Sequence, residues 1–181
     1  MQLLTDPFIV VPSALGLAIL LAGTALHKLR LPDDFGRVLV SYDVFPGFLV
    51  TPLKRLVPVS ELLLALALFI PATHQLAALL ITGLLLSYAG VMARTLSSGK
   101  QVADCGCSVG STRHQVSPML VWRNLILALI ALNLARSSAL RPLGYADVAA
   151  IGLLTLIGCT FYGLVNSLIG THLSSQDLFH D

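Results

Sequence analysis

Five long apolar runs constrain this 181-residue chain more than any other feature. They cover residues 8–26, 56–72, 76–96, 119–135 and 146–170. Runs of this length suit membrane-spanning helices, because a helix rises about 1.5 Å per residue and the hydrocarbon core is about 30 Å thick. Only 11% of the residues are charged and the mean hydropathy is +0.86, which excludes an ordinary soluble domain. The sequence predicts an all-α membrane protein, a bundle of four to five transmembrane helices forming one integral membrane domain over residues 1–181.

Helices are expected rather than strands, because period-two alternation is absent and lipid forbids unpaired backbone groups. The first run is too long for a signal-peptide core and no basic residue precedes it, so we expect it to be retained. Pro58 is expected to break the second helix. The connector over residues 27–55 mixes apolar and polar residues. A short interfacial helix capped by Asp33 or Asp34 fits that pattern.

Chain parity places the connectors at 27–55 and 97–118 on the same side of the membrane. Nearly all the polar chemistry of the chain therefore gathers on one face. The candidate residues there are His27, Lys28, Glu61, Asp104, Cys105, Cys107, Trp122, Arg123 and Asn124.

Two of the three cysteines, Cys105 and Cys107, are separated by a single glycine in the loop 97–118. This spacing brings the Cα atoms to about 5.5–6.5 Å, within the range for a disulfide, and the small ring is strained and easily exchanged. A redox-active dithiol is therefore the favoured interpretation. A metal site completed by His114 or His27 and a pair of incidental thiols are the alternatives, and we assign no metal.

Asp104 lies next to the thiol pair and can relay protons. Glu61 is the carboxylate expected to enter the bilayer, which makes it a functional candidate; a structural ion pair with Lys28 or Arg123 is equally consistent. Trp122 is either an interfacial anchor or the wall of a pocket. Cys159 falls in the middle of the last run and is expected to be an inert packing residue.

The segments "ALHKLRLPDDFGRVLVSYDVFP", "LVPVSELLLALALFIPA", "DCGC" and "SPMLVWRNLILALIAL" occur in this order along the chain. Together they resemble the MauE family of methylamine utilisation proteins, within the wider DoxX-like group. The resemblance covers nearly the whole chain. Cys105 and Cys107 match the cysteine motif of the family. Other recurrent polar positions of the family match His27, Lys28, Glu61, Arg123 and Asn124.

The resemblance implies a multi-pass protein of the bacterial inner membrane that supports maturation of methylamine dehydrogenase. The implied partners are a thioredoxin-like protein of the MauD type and the small subunit of that dehydrogenase, within the lipid bilayer and without nucleic acid. In the redox interpretation electrons pass through the thiol pair, and a membrane quinone is the candidate cofactor. The residues named for it are His27, Lys28, Trp122, Arg123 and Asn124. A non-catalytic assembly factor is the alternative, so enzymatic turnover is left open.

The orientation of the thiol loop is open at this stage. Nine of the eleven Lys and Arg residues lie on the cysteine face, which the positive-inside rule assigns to the cytoplasm. Disulfide chemistry and the implied service to a periplasmic enzyme favour the opposite side.

Overall fold

The computed structural model describes residues 6–44, 46–98, 117–136 and 144–177, with the backbone alone at 166 and 169–177. The described residues form helices and no strand. In chain order the helices are α1 (Pro7–Arg30), α2 (Pro32–Ser41), α3 (Gly47–Ala67), α4 (His74–Ser97), α5 (Pro118–Arg136) and α6 (Tyr145–Asp177). The prediction of an all-α bundle is confirmed.

Four of the described helices are long and apolar enough to cross a membrane, namely α1, α4, α5 and the Tyr145–Val165 part of α6. The helix α3 has a similar length, 21 residues, but carries Lys54, Arg55 and Glu61. These three charges set α3 apart from the other long helices.

The ends of α1 follow from local chemistry. The Asp6 side chain caps the helix by accepting a hydrogen bond from the backbone N–H of Phe8 at 3.0 Å, and Pro7 occupies the first turn, where its missing N–H costs nothing. The helix ends at Arg30, because Leu31 precedes Pro32 and is disfavoured in the helical region. His27, Lys28 and Arg30 lie in its last turn, next to the negative end of the helix dipole.

The predicted short helix is present as α2, but its start differs from the prediction. Leu31 occupies the cap position without a side-chain hydrogen bond, and Asp33 and Asp34 lie within the first turn. Proline accounts for this, because Pro32 supplies a preset first helical residue and moves the acids one position inward. The acids still interact favourably with the positive end of the helix.

The helix α3 spans Gly47–Ala67, whereas hydropathy predicts a helix over 56–72. It starts earlier because its first turns pack against α2 rather than against the apolar core. It ends earlier because Pro71 follows. Residues 68–73 form a turn in which Thr73 Oγ1 donates to the carbonyl of Ala67 at 2.9 Å. Pro52 and Pro58 lie within the helix, so the expected break at Pro58 is wrong.

The main core joins α1, α3, α4 and α5 through small and medium apolar side chains. Alanines at positions such as Ala78 and Ala131, both 0% exposed, let the backbones approach closely, as is usual between membrane helices. The helices α4 and α5 share the most extensive contact, and α6 packs mainly on α1. The polar ends of α1 and α3 are therefore held against α4 by a tightly packed apolar layer.

Candidate functional site

A buried ion pair joins α1 to α3. Lys28 Nζ lies 2.6 Å from Glu61 Oε1, and each side chain is only 1% exposed. Lys28 continues the stripe of α1 that buries Leu21 and Ala25, and Glu61 continues the stripe of α3 that buries Pro58 and Ala65. Because both charges fall on core-facing positions, the same periodicity that builds the core brings them together.

Tyr88 of α4 completes the cluster. Its O–H donates to Glu61 Oε1 at 2.6 Å, and Lys28 Nζ donates to the Tyr88 hydroxyl oxygen at 3.4 Å. The ammonium group also lies 4.9 Å from the centre of the Tyr88 ring and 5.1 Å from that of Phe35 in α2. Distances of this kind are within the range of cation–π attraction. Four helices therefore meet at one ammonium group, and we call Lys28, Phe35, Glu61 and Tyr88 the charged cluster.

The second carboxylate oxygen of the charged cluster has no partner among the described residues. Both donors reach Oε1 of Glu61, and Oε2 is buried with no hydrogen-bond donor from the part of the chain that the structure describes. An unpaired buried acceptor is costly, and each such group calls for an explanation. The arrangement holds a carboxylate that can accept one further donor. With side chains only 1% exposed, the two charges are closed off in the described conformation.

The cluster lies within the predicted hydrocarbon layer. His74 and Arg94, the two basic residues of α4, are 20 residues apart, about 30 Å along a helix and close to the hydrocarbon thickness. Tyr88 lies six residues before Arg94, which places it about 9 Å inside that boundary. Phe35 of α2 covers the ammonium group from the side of the adjoining connector.

Asn124 of α5 forms a second buried polar contact one turn further along α4. Its Nδ2 donates to the Leu120 carbonyl at 2.9 Å and lies 3.6 Å from Met92 Sδ. Asn124 and Met92 are each 2% exposed. Since Met92 follows Tyr88 by one helical turn, this contact lies next to the charged cluster along α4.

The other predicted site residues are distributed differently. His27 is half-buried at the end of α1, and Arg123 is half-buried in α5. Trp122 is 66% exposed and lies two positions from Asn124, so the two side chains project from nearly opposite sides of α5. Asp104, Cys105, Cys107 and His114 lie outside the described residues.

These placements bear on the membrane quinone considered above. Lys28 directs its ammonium group to Glu61 and Tyr88, Asn124 donates to Leu120, and Trp122 faces outward. Lys28, Asn124 and Trp122, three of the five residues named for that cofactor, thus do not converge on one face. The described residues do not fit a preformed quinone site, and we derive no step through one.

Sequence reasoning identified Lys28 and Glu61 but missed Phe35 and Tyr88. The available signal was Tyr88 itself, the phenol in the middle of an otherwise apolar run, since a buried tyrosine hydroxyl usually has a partner. Phe35 follows Lys28 by seven residues, but Pro32 lies between them, so helix periodicity alone could not place the two together.

The fold and the charged cluster define a multi-pass helical membrane protein with an ion pair inside its bundle. The model of the family "Methylamine utilisation protein MauE" matches residues 6–137, and the chain belongs to this family. The chain is 30% identical over 173 residues to methylamine utilization protein MauE of Paracoccus denitrificans, covering 96% of this chain and 93% of that protein.

Two further relatives carry the same name. The chain is 34% identical over 135 residues to MauE of Methylophilus methylotrophus, covering 74% of this chain and 71% of the relative. It is 34% identical over 152 residues to MauE of Methylorubrum extorquens, covering 84% and 82%. No solved structure matches the chain significantly.

Proposed function

We propose that this protein serves methylamine utilisation as an inner-membrane factor for the maturation of methylamine dehydrogenase. In this proposal Cys105 and Cys107 supply disulfides to the small subunit of that enzyme, together with a thioredoxin-like partner. The observation that carries the proposal is the family match over residues 6–137, which includes α1 to α5 and the thiol pair.

The proposed exchange balances in thiols and disulfides. A thiolate of the client attacks the Cys105–Cys107 disulfide, and a second client thiolate resolves the mixed disulfide. The client gains one disulfide, and two electrons and two protons pass to Cys105 and Cys107. A disulfide of the thioredoxin-like partner then reoxidises the pair and takes up the same electrons and protons.

The charged cluster supports a positioning role for Glu61 in this scheme. The segment that carries the thiols connects α4 to α5, and Tyr88 ties α4 to α1 and α3 through Glu61. The side chains of Lys28 and Glu61 are enclosed, so a reacting thiol does not reach them. This burial favours a role in holding the helices in register. Asp104, as the neighbour of Cys105, is the proposed proton relay.

The test is replacement of the thiols one at a time and together. Cys105→Ser, Cys107→Ser and the double variant are introduced into a strain of the host organism that lacks the gene, and methylamine dehydrogenase activity is measured. We expect equal loss in all three variants, because a dithiol works only as a pair. Full activity in the double variant would refute the thiol mechanism.

Cys159→Ser is the matched control. Cys159 lies within α6, in the span Tyr145–Val165, so its replacement should leave dehydrogenase activity at the level of the unaltered chain. A loss as large as that of the loop variants would mean that thiol content in general, rather than the loop pair, is required.

A non-catalytic assembly factor is the second candidate, and the closed charged cluster favours it, since such an arrangement suits a rigid scaffold. Acid quenching followed by alkylation separates the two functions. Redox cycling requires both oxidised and reduced forms of the loop pair in growing cells. A scaffold shows a single form under all growth conditions.

A further inference from the structure

An open groove lies between α2 and α3 on the outside of the bundle. Its volume is about 410 Å³, within the usual range for small-molecule sites. Val40 of α2 and Val50 of α3 give the groove apolar walls, and its charged lining consists of Asp33, Arg37 and Lys54. With two cations and one carboxylate, the lining carries one positive charge in excess.

The packing of α2 on α3 holds the Lys54 side chain in place. A Cβ atom at Gly36 would lie 3.6 Å from Lys54 Cδ, so the stem of Lys54 rests on the α2 backbone. The side chain is 25% exposed, and its Nζ lies 2.9 Å from Asp33 Oδ1. The ammonium group is thus held at the groove, and ordering it on binding a ligand costs less entropy than for a freely moving lysine.

The charges next to the groove keep the positive excess. Lys54 lowers the pKa of Asp33 below its usual value through its hydrogen bond and its charge. The charges of Arg37 and Arg55 act on Asp33 in the same direction, so Arg55 lies near the groove. Arg37 also pairs with Asp34 one turn earlier in α2. Counting Arg55 and Asp34 adds one charge of each sign, and the excess of one positive charge remains.

Both cations of the lining keep hydrogen-bond donors for an anion. Among the described residues, Lys54 donates to Asp33 and Arg37 donates to Asp34, and each cation has further N–H groups. The lining also includes the hydroxyl-bearing Thr51. A phosphate diester only accepts hydrogen bonds and carries one negative charge, so it matches both the donors and the charge of this groove.

The contacts of α2 place the groove near the edge of the hydrocarbon layer. Phe35 of α2 lies against Lys28, which contacts Tyr88, and Tyr42 packs with Met92 just after the end of α2. On the scale of α4 these levels lie about 3–9 Å inside Arg94, close to the boundary between hydrocarbon and headgroups. Phospholipid phosphates are the anions that a bilayer supplies in this region.

We propose that the α2–α3 groove binds the headgroup of the anionic lipid phosphatidylglycerol. Its phosphate lies against Arg37 and Lys54, and the adjoining lipid carbons lie along Val40 and Val50. Phosphatidylglycerol carries one negative charge and no cation, so it balances the excess charge of the groove. Phosphatidylethanolamine and phosphatidylcholine have the same phosphate but bring a cation of their own beside Arg37 and Lys54, which is unfavourable.

The test measures lipid retained by the purified full chain. Nanodiscs are prepared with equal amounts of phosphatidylglycerol, phosphatidylethanolamine and phosphatidylcholine, and the lipids that remain bound after extraction into detergent are counted by native mass spectrometry. We expect at least threefold more phosphatidylglycerol than either competitor. Equal retention of the three lipids, or a preference for a zwitterionic lipid, would overturn the proposal.

A double variant assigns the preference to the groove. Arg37→Gln with Lys54→Gln removes both cations of the lining and should reduce retention of phosphatidylglycerol to the level of the competitors. Arg37→Lys with Lys54→Arg keeps both charges and should keep the preference. A preference that survives the two glutamine substitutions would place the lipid elsewhere and refute the groove.

Arg30→Gln with Arg94→Gln is the matched control. It also removes two exposed cations, which chain parity assigns to the same side of the membrane, but neither residue lines the groove. This variant should keep the preference; its loss here would show a general charge effect and overturn the groove. Circular dichroism and gel filtration confirm that each variant retains its helices and its size. Because the measured quantity is lipid preference, the result does not depend on the proposed thiol chemistry.

Discussion

Glu61 and Lys28 are the residues whose replacement should disturb this protein most. Glu61→Gln leaves the Lys28 ammonium without its counter-charge in an enclosed site, and breaking a buried pair in this way costs about 3–5 kcal/mol. We expect Glu61→Gln to lower accumulation in the membrane severely. Adding Lys28→Met should restore much of it, because the neutral amide can still accept the Tyr88 hydrogen bond. Immunoblots of membrane fractions measure both. Wild-type accumulation of Glu61→Gln would contradict the importance of the pair.

Tyr88→Phe separates the hydroxyl group from the ring at the same site. The ring stays over the ammonium group, but Glu61 loses a hydrogen bond of 2.6 Å. Hydrogen bonds to charged groups contribute about 1.5–3 kcal/mol, so the loss of stability should be smaller than for Glu61→Gln. Thermal unfolding in detergent measures it. Tyr145→Phe is the matched control, since Tyr145 is 99% exposed; similar shifts for both would show that the hydroxyl contact is unimportant.

The pairing of Glu61 could be anticipated only in part from the sequence. An acid in an apolar run requires a cation, and chain parity leaves Lys28 and Arg123 as candidates. The choice between them depends on which helix neighbours α3. The structure selects Lys28 because α1 packs extensively on α3. Which helices become neighbours depends on the packing of small residues such as Ala65 and Ala78. A hydropathy profile does not contain this information.

At the scale of the element, α2 covers the charged cluster. Phe35 and Leu39 face inward at 7% and 8% exposure, while Val40 faces outward. We expect Phe35→Ala to open a path to Glu61, because it removes the ring over Lys28 and leaves a cavity. Labelling of Glu61 by dicyclohexylcarbodiimide, followed by peptide mass spectrometry, should then be several-fold faster.

Val40→Ala is the control for α2, since it shortens a side chain on the outer face of the same helix. Its labelling rate should equal that of the unaltered chain. Equal rates in Phe35→Ala and the unaltered chain would show that the carboxyl group is reached by a route that α2 does not cover.

The difference between the predicted and observed ends of α3 is also an effect at this scale. A hydropathy run marks where a chain prefers lipid, not where a helix starts. The helix continues through Lys54 and Arg55 because α2 lies alongside and Asp33 accepts a hydrogen bond from Lys54. Its end follows local rules, because Pro71 and the Thr73 hydroxyl favour a turn. The end could therefore have been predicted, whereas the start required knowledge of α2.

At the scale of the whole molecule, the charged cluster affects how many basic residues bear on the orientation of the protein in the membrane. Chain parity predicts nine basic residues on the cysteine face and two on the other. Lys28 is paired inside the bundle and therefore contributes little to the orientation of the chain. Without it, eight basic residues on the cysteine face remain against two on the other face. Lys54 and Arg37 still count, because nearby acids contribute little to the positive-inside rule. The charge balance therefore predicts that the thiol segment faces the cytoplasm.

Orientation is tested by reporter fusions after Ser98 and after Arg136, which follow the ends of α4 and α5. Alkaline phosphatase should be inactive after Ser98 and active after Arg136, and a membrane-impermeant maleimide should fail to label Cys105 in intact spheroplasts. The opposite pattern would contradict the charge argument and allow direct exchange with a periplasmic thioredoxin-like partner. The expected pattern would prevent direct exchange with a periplasmic client, because electrons from that client would have to cross the bilayer before they reach Cys105 and Cys107. The measurement therefore decides between the two proposed functions: labelling of Cys105 from outside supports disulfide supply by direct exchange, and protection of Cys105 supports the assembly factor.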